Sequence, residues 1–378
     1  MLYRRYRTCL WLLPLVLVAG LFVGCLPVEL SVSPSGEVLI PRAEGFVVYS
    51  PADGSVKVWN DAAGGQAAFA MYSPDGKSAL AIVEASGGGM GKSFKVMLIG
   101  ADGEATEICS RSNITYAQWS PDGMYATITR VADQQVEPVD QNLPEMILIN
   151  VAEGTTKKLA SNVAGIHRWM PDSKKLVVFQ IERKSEDANQ YAGKLMTLDV
   201  ASGEMVALAG MMGEQDAFFD VSPDGKTAMV TALKVDAANA ELPDEVDGKA
   251  KLYSLDMTSG ASKEISDSAG FAMYSPKGTK MLIGASEEQD GAIALSVAAA
   301  DGSGMKKVVD DAAKQTGGGM GNQATIYPTW MDDETVLYLS KHAVYGTAGA
   351  NLVLTSVKAD GSGRRNHQGT IDVGLQGK

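Results

Sequence analysis

One phrase, met seven times, constrains this chain more than anything else in it. Ser-Pro-Asp-Gly stands at 73–76, 120–123 and 222–225, each time directly after Tyr72, Trp119 or Val221. Looser copies run Ser33 to Glu37, Trp169 to Lys174, Tyr274 to Thr279 and Trp330 to Thr335. Successive copies lie 40 to 56 residues apart. A second marker recurs between them: Asp53-Gly54, Asp102-Gly103, Glu153-Gly154, Ser202-Gly203, Ser259-Gly260, Asp301-Gly302 and Asp360-Gly361. Both markers are turn chemistry. Proline presets φ, Asp and Gly close a bend, and glycine accepts the positive φ of a tight hairpin.

Between the markers lie short aliphatic and β-branched runs at strand length. Each unit reads as a strand ending in an aromatic, the Ser-Pro-Asp-Gly turn, a second strand, a loop, a third strand, the x-Gly turn and a fourth strand. Residues 116–119, 126–130, 146–151 and 155–159 show the order once. Four antiparallel strands at this period specify an all-β fold, a β-propeller of four-stranded antiparallel blades. The markers count seven blades, with six or eight left open by the irregular ends. Copy one is short-spaced and copy seven has lost its proline and glycine. Residues 364–367 make a poor fourth strand, so 370–373 or the segment after Cys25 is expected to close the ring. Tyr72, Trp119, Trp169, Tyr274 and Trp330 all precede the turn in phase and are expected to pack between blades.

The phrase resembles the WD40-like (PD40) repeat of TolB-type propellers, also present in the propeller domains of prolyl oligopeptidases. The resemblance covers about residues 31 to 365. It implies the fold and leaves the activity open, because that repeat serves many functions.

The N-terminus carries Arg4, Arg5 and Arg7, then an apolar run from Cys9 to Val23. This is a signal segment rather than a membrane span. It ends Leu21-Phe22-Val23-Gly24-Cys25, which resembles a bacterial lipoprotein signal, with Phe22 where leucine is usual. The resemblance implies cleavage after Gly24 and acylation of Cys25. Residues 1–24 are then signal, 25–30 a short tether and 31–378 one propeller domain. Leu26 after the cysteine favours the outer membrane where the cell has one. The expected location is the bacterial cell envelope, lipid-anchored and extracytoplasmic. Only Cys109 then remains as a thiol, so no disulfide supports the domain. Losing three arginines moves the net charge from −12 to −15. Such a surface repels nucleic acid.

Spacing separates scaffold from variable surface. From each x-Gly turn to the next proline the chain takes 16 to 20 residues, with 30 before Asp332. From each proline position to the following x-Gly it takes 20 to 37. The variation therefore lies between second and third strands, on the rim opposite the turns, which points to that rim as the binding face. Its loops are acidic: Asp133, Glu137 and Asp140; Asp236, Glu241, Asp244, Glu245 and Asp247; Glu287, Glu288 and Asp290. Two more loops repeat a glycine-methionine phrase, Gly87, Gly88, Gly89, Met90, Gly91 and Gly317, Gly318, Gly319, Met320, Gly321. These permit close backbone approach and adaptable apolar contact.

Catalytic signatures are missing. Ser86 to Ser93 imitates a phosphate loop but lacks its first glycine and joins two strands. No G-x-S-x-G elbow occurs. His167, His342 and His367 sit in separate units without metal-ligand spacing. No metal site or cofactor is expected, although clustered carboxylates could take Ca²⁺ weakly. The sequence therefore reads as a membrane-anchored lipoprotein, not an enzyme, whose propeller binds a protein or peptide on its acidic loop face. The alternative is a small ligand or carbohydrate at the channel mouth.

Overall fold

The computed structural model describes residues 27–42, 45–60, 66–85, 93–131, 144–184, 190–214, 217–286, 293–312, 325–343 and 350–367. Every regular element among them is a β-strand. The strands form seven four-stranded antiparallel meanders in chain order, the last two joined through the pair Ala312–Ser340. They are numbered here as blades 1 to 7. Blade 3 is typical: Ile114–Trp119, Tyr125–Arg130, Glu145–Asn150 and Thr155–Ser161.

Hydropathy sorts the strands by distance from the axis. Second strands such as Ala79–Glu84 and Thr227–Ala232 are buried on both faces. Fourth strands such as Thr155–Ser161 and Ser262–Ser266 are largely exposed. First strands touch the first strands of neighbouring blades and line the central channel. The third–fourth pairing of blades 1 to 6 carries a register shift, and such shifts add twist. Each pair of neighbouring blades shares one apolar cluster. The seventh cluster closes the circle, setting Leu337, Leu339 and Leu354 of blade 7 against Val38, Ile40, Val47 and Tyr49 of blade 1. Tyr72, Trp119, Trp169, Tyr274 and Trp330 are all buried. No blade could bury both faces alone.

The turn phrase is a hydrogen-bonding unit. In blades 2, 3 and 5 the serine hydroxyl donates to the aspartate two residues on, at 2.6–2.7 Å. It also accepts from the N–H five residues on, at 2.9–3.0 Å. The same aspartate accepts from the N–H two residues beyond it. These bonds hold the Asp75 and Asp224 carboxyls below the usual carboxylate range, the serine hydroxyl contributing most. The turns also touch one another around the rim. A Cβ at Gly76 would stand 2.8 Å from Pro34, and one at Gly278 2.8 Å from Pro223.

The departures from the phrase are compensated in kind. Blade 4 has Ser173 in place of glycine, at φ 58°. Its hydroxyl accepts the Asp122 N–H of the preceding turn at 3.0 Å. Blade 7 turns tightly at Asp333-Glu334 without proline or glycine. Asp333 accepts the Lys277 N–H of the preceding turn at 2.8 Å, and Lys280 pairs with Glu334.

The chain ends differ from expectation. The fourth strand of blade 7 is Arg365–Asn366 itself, paired with Ala350–Lys358. Residues 370–373 lie outside the described residues. His367 follows directly and joins the ring ends: its Nδ1 is 2.7 Å from Tyr49 Oη, and its Nε2 3.0 Å from Ser356 Oγ. Residues 27–29, assigned by sequence to the tether, form a strand parallel to Thr325–Tyr327, just before the first strand of blade 7. Among the described residues, no helix is long and apolar enough to cross a membrane.

Candidate functional site on the loop rim

Blade 4 stands taller than its neighbours. Its second and third strands, Lys175–Lys184 and Gln190–Asp199, are ten residues long, against six in blades 3 and 5. Ile181, Tyr191 and Ala192 are buried in the extension, which gives the hairpin a reason to persist. The blade 5 connection after Leu233 then folds back onto it. Lys234–Ala237 pairs with the fourth strand Met205–Glu214, in register Ala209–Ala237 to Met212–Lys234, as a fifth strand of blade 4. The loop expected to open freely from blade 5 is therefore docked on its neighbour. Ala192, Met212 and Leu233 supply a small apolar floor, covered by Leu242 and Val246. Gly210 lets the loop down: a Cβ there would lie 3.0 Å from Ala237 O and 3.5 Å from Leu242.

Two polar side chains hold the loop. Arg183 donates to Asp244 Oδ1 at 2.5 Å, Pro243 O at 2.7 Å and Leu242 O at 3.2 Å. Gln190 reproduces a backbone pair with Val246, donating to its carbonyl at 2.9 Å and accepting its N–H at 3.0 Å. The acid of this loop is thus partly spent at home. Asp244 is paired with Arg183, and Asp236 with Lys234 at 2.7 Å. Glu241 lines a cavity of about 330 Å³ between loop and hairpin. Glu182 and Lys194, paired at 3.3 Å, and Arg183 form its charged wall, and Gly193 and Gly210 leave part of it without side chains. A cavity of this size takes a few residues of an extended segment or one bulky polar side chain.

Of the other residues singled out by sequence, Glu245 and Asp247 lie in this loop and are exposed. Cys25, Gly87 to Gly91, Asp133, Glu137, Asp140, Glu287, Glu288, Asp290 and Gly317 to Gly321 lie outside the described residues. Among the described residues, no group of three or more His, Cys, Asp or Glu is arranged to hold a metal.

The channel wall carries a pattern that repeat-reading missed. The residue just before the aromatic position varies from blade to blade: Ser31, Met71, Gln118, Arg168, Asp220, Met273 and Thr329. Three of these side chains accept the backbone N–H of the next blade's aromatic: Ser31 Oγ from Tyr72 at 2.8 Å, Gln118 Oε1 from Trp169 at 3.3 Å, Asp220 Oδ2 from Tyr274 at 2.9 Å. Where the residue is methionine, the next blade's indole donates to its carbonyl instead, Trp119 to Met71 and Trp330 to Met273, each at 3.3 Å. Reading the column rather than the row of the repeat would have found it.

Arg168 and Asp220 form the charged member of this ring, with Nε–Oδ1 at 3.2 Å. Arg168 also donates to Tyr116 Oη and to the His167 carbonyl at 3.1 Å, and its guanidinium lies 4.9 Å from the Phe218 ring centre. Burial pushes the Asp220 carboxyl up, while Arg168 and the Tyr274 N–H pull it back. His167 is wholly buried, and burial, with Arg168 beside it, lowers it to about 3. Thr129 Oγ1 donates to Gly165 O at 2.8 Å and stands 3.0 Å from His167 Nδ1. His167 Nε2 is 2.6 Å from Thr127 Oγ1. Ser31 and Gln118 line a cavity of about 260 Å³ together with Leu30, Phe69, Met71 and Trp119.

No protein-family model and no curated protein sequence matches the chain. Solved structures do. TolB from Acinetobacter baumannii is 15% identical over 87% of this chain and 78% of its own, with a TM-score of 0.50. A prolyl endopeptidase is 13% identical over 88% of this chain and 48% of its own, with a TM-score of 0.58. Oligogalacturonate lyase from Vibrio parahaemolyticus is 10% identical over 84% of this chain and 88% of its own, with a TM-score of 0.58. At these identities the likeness is one of fold: the chain has the TolB-like β-propeller fold. The same set overturns the expectation that the chain is not an enzyme. The prolyl endopeptidase, a dipeptidyl peptidase, an acylaminoacyl peptidase and a puromycin hydrolase all share the propeller. Their catalysis cannot be carried over to this chain, but neither can the fold exclude catalysis.

Proposed function

We propose that this chain is a bacterial envelope lipoprotein, anchored at Cys25, whose propeller binds a protein or peptide partner through its loop rim. The supporting observation is the docked 234–249 loop: Arg183 and Gln190 hold it over blade 4 and leave a two-sign, partly glycine-walled cavity on that rim. An extended peptide satisfies such a site with backbone and side-chain contacts together. The channel favours this reading by default. It has a cavity, but the polar groups of Ser31 and Gln118 are engaged in blade-to-blade bonds. That leaves a small polar ligand fewer partners there.

Pull-down from native membranes tests the reading, using the full chain, an Arg183→Ala variant and a variant with residues 238–248 replaced by a short Gly-Ser linker. A partner captured by the parent and lost with both variants supports it. A partner retained by both, with circular dichroism unchanged, removes the loop from the binding surface.

A further inference from the structure

Chain direction determines which rim can face a membrane. In every blade the first strand runs toward the Ser-Pro-Asp-Gly turn or its equivalent, so it begins at the loop rim. Pro27–Glu29, Leu30 and Ser31–Val32 lead in that sense into the Ser33-Pro34 turn of blade 1. Pro27 therefore lies at the loop-rim mouth of the channel. It is fixed there by parallel pairing of Pro27 with Thr325, Val28 with Ile326 and Glu29 with Tyr327, and by contact with the first strand of blade 2, Gln66–Tyr72. Cys25 precedes Pro27 by two residues, which reach about 7 Å at most. The first strand of blade 2 has seven residues, a rise of about 23 Å from one rim toward the other.

We infer that the anchored propeller stands with its loop rim toward the lipid and its turn rim facing away. The inference rests on acylation of Cys25, as proposed above. For the turn rim to face the membrane, the anchor would have to reach past the height of the propeller on a tether about a third as long. Two consequences follow for the loop rim. The exposed carboxylates of its 234–249 loop, such as Glu241 and Asp247, then lie on the membrane side, where anionic lipid repels them. A partner of this rim must approach along the membrane, and the acidic loops suit a basic segment of a protein held in the same membrane.

The test uses the full lipidated chain, purified from membranes and reconstituted in phosphatidylcholine vesicles with an acceptor dye on a headgroup. In a Cys109→Ala background, a donor dye is placed at Asp247→Cys on the loop rim or Lys226→Cys on the turn rim. Energy transfer to the headgroup acceptor is expected to be about threefold higher from position 247, given a rim separation near 23 Å. Equal or reversed transfer overturns the orientation while leaving the anchor intact. Mass spectrometry of the Cys25 peptide, with release of a Cys25→Ser variant from membranes, reads the anchor separately. An unmodified Cys25 overturns both.

Discussion

The two rims of this propeller are built on opposite principles. On the turn rim the bends of blades 2, 3 and 5 are satisfied locally, by a serine, an aspartate and a glycine within five residues, and the departing bends of blades 4 and 7 bond to the adjoining turn. On the loop rim the described 234–249 connection is satisfied at long range, by Arg183 and Gln190 of the neighbouring blade. Local satisfaction makes a sequence repeat, because each copy solves the same problem alone. Long-range satisfaction frees the sequence to differ, because each loop answers to a different neighbour. The repeated rim is consequently the scaffold, and the irregular rim is where recognition can be varied at low cost to the fold.

The comparison breaks most visibly at the x-Gly turns, which belong to the scaffold rim but differ in how closely they are packed. Gly260 and Gly54 share a positive φ, 71° and 76°. A Cβ at Gly260 would fall inside the contact distance of Leu208 O on blade 4, whereas one at Gly54 would meet nothing within 4 Å. Gly260→Ala is expected to cost about 3 kcal/mol, from left-handed strain plus an overpacked backbone contact, and Gly54→Ala about 1 kcal/mol, from strain alone. Urea unfolding measures both. Equal losses would mean that contact between blades adds nothing to the turn rim.

The wall between the rims gives a pH test. His167 is held at about 3, below its ordinary 6.5. A lowered folded-state value means that the unfolded chain takes the proton first. Stability from this residue is therefore complete above about pH 6.5 and is lost as pH falls toward 3. Between pH 7 and pH 5 the loss should be about 2 kcal/mol. His367, lowered by burial and by Arg365, acts in the same direction. His167→Gln should flatten the pH dependence of the unfolding free energy without abolishing it. An unchanged slope would remove His167 from the account.

The fold was legible because its information is periodic: turn residues, strand length and the buried aromatics all recur in phase. The docked loop was not legible. Nothing in Lys234–Ala237 distinguishes a strand of blade 5's own loop from one paired across to blade 4, because strand pairing partners are set by the extension of another hairpin some forty residues earlier. Counting acid in the loops likewise missed that Asp244 and Asp236 have basic partners. Lys234 and Asp236 lie two residues apart on one strand, so that pair was within reach of the sequence, but the pairing of Arg183 with Asp244 depended on a fold-back that spacing does not encode. The channel ring was hidden for the opposite reason: Ser31, Gln118 and Asp220 differ chemically, so they do not look like a repeat, yet each accepts the same bond from the next blade.

The smallest expected effect separates the two things that glycine does on the turn rim. Blade 4 alone places serine at the glycine position of an otherwise intact Pro-Asp turn, with φ at 58° and its hydroxyl on Asp122 N. Ser173→Gly removes left-handed strain and loses one exposed hydrogen bond. These terms are each about 1 kcal/mol and oppose each other, so stability should change by less than about 1 kcal/mol in either direction. Ser173→Ala keeps the strain and loses the bond, and should be the less stable of the two by about 1 kcal/mol. If alanine and glycine behave alike in urea unfolding, φ is not the constraint at this position. The phrase would then repeat for its contacts between turns rather than for its backbone geometry. If glycine is the more stable, the backbone sets the repeat, and the hydroxyl of Ser173 is the local repair that allowed this copy to drift.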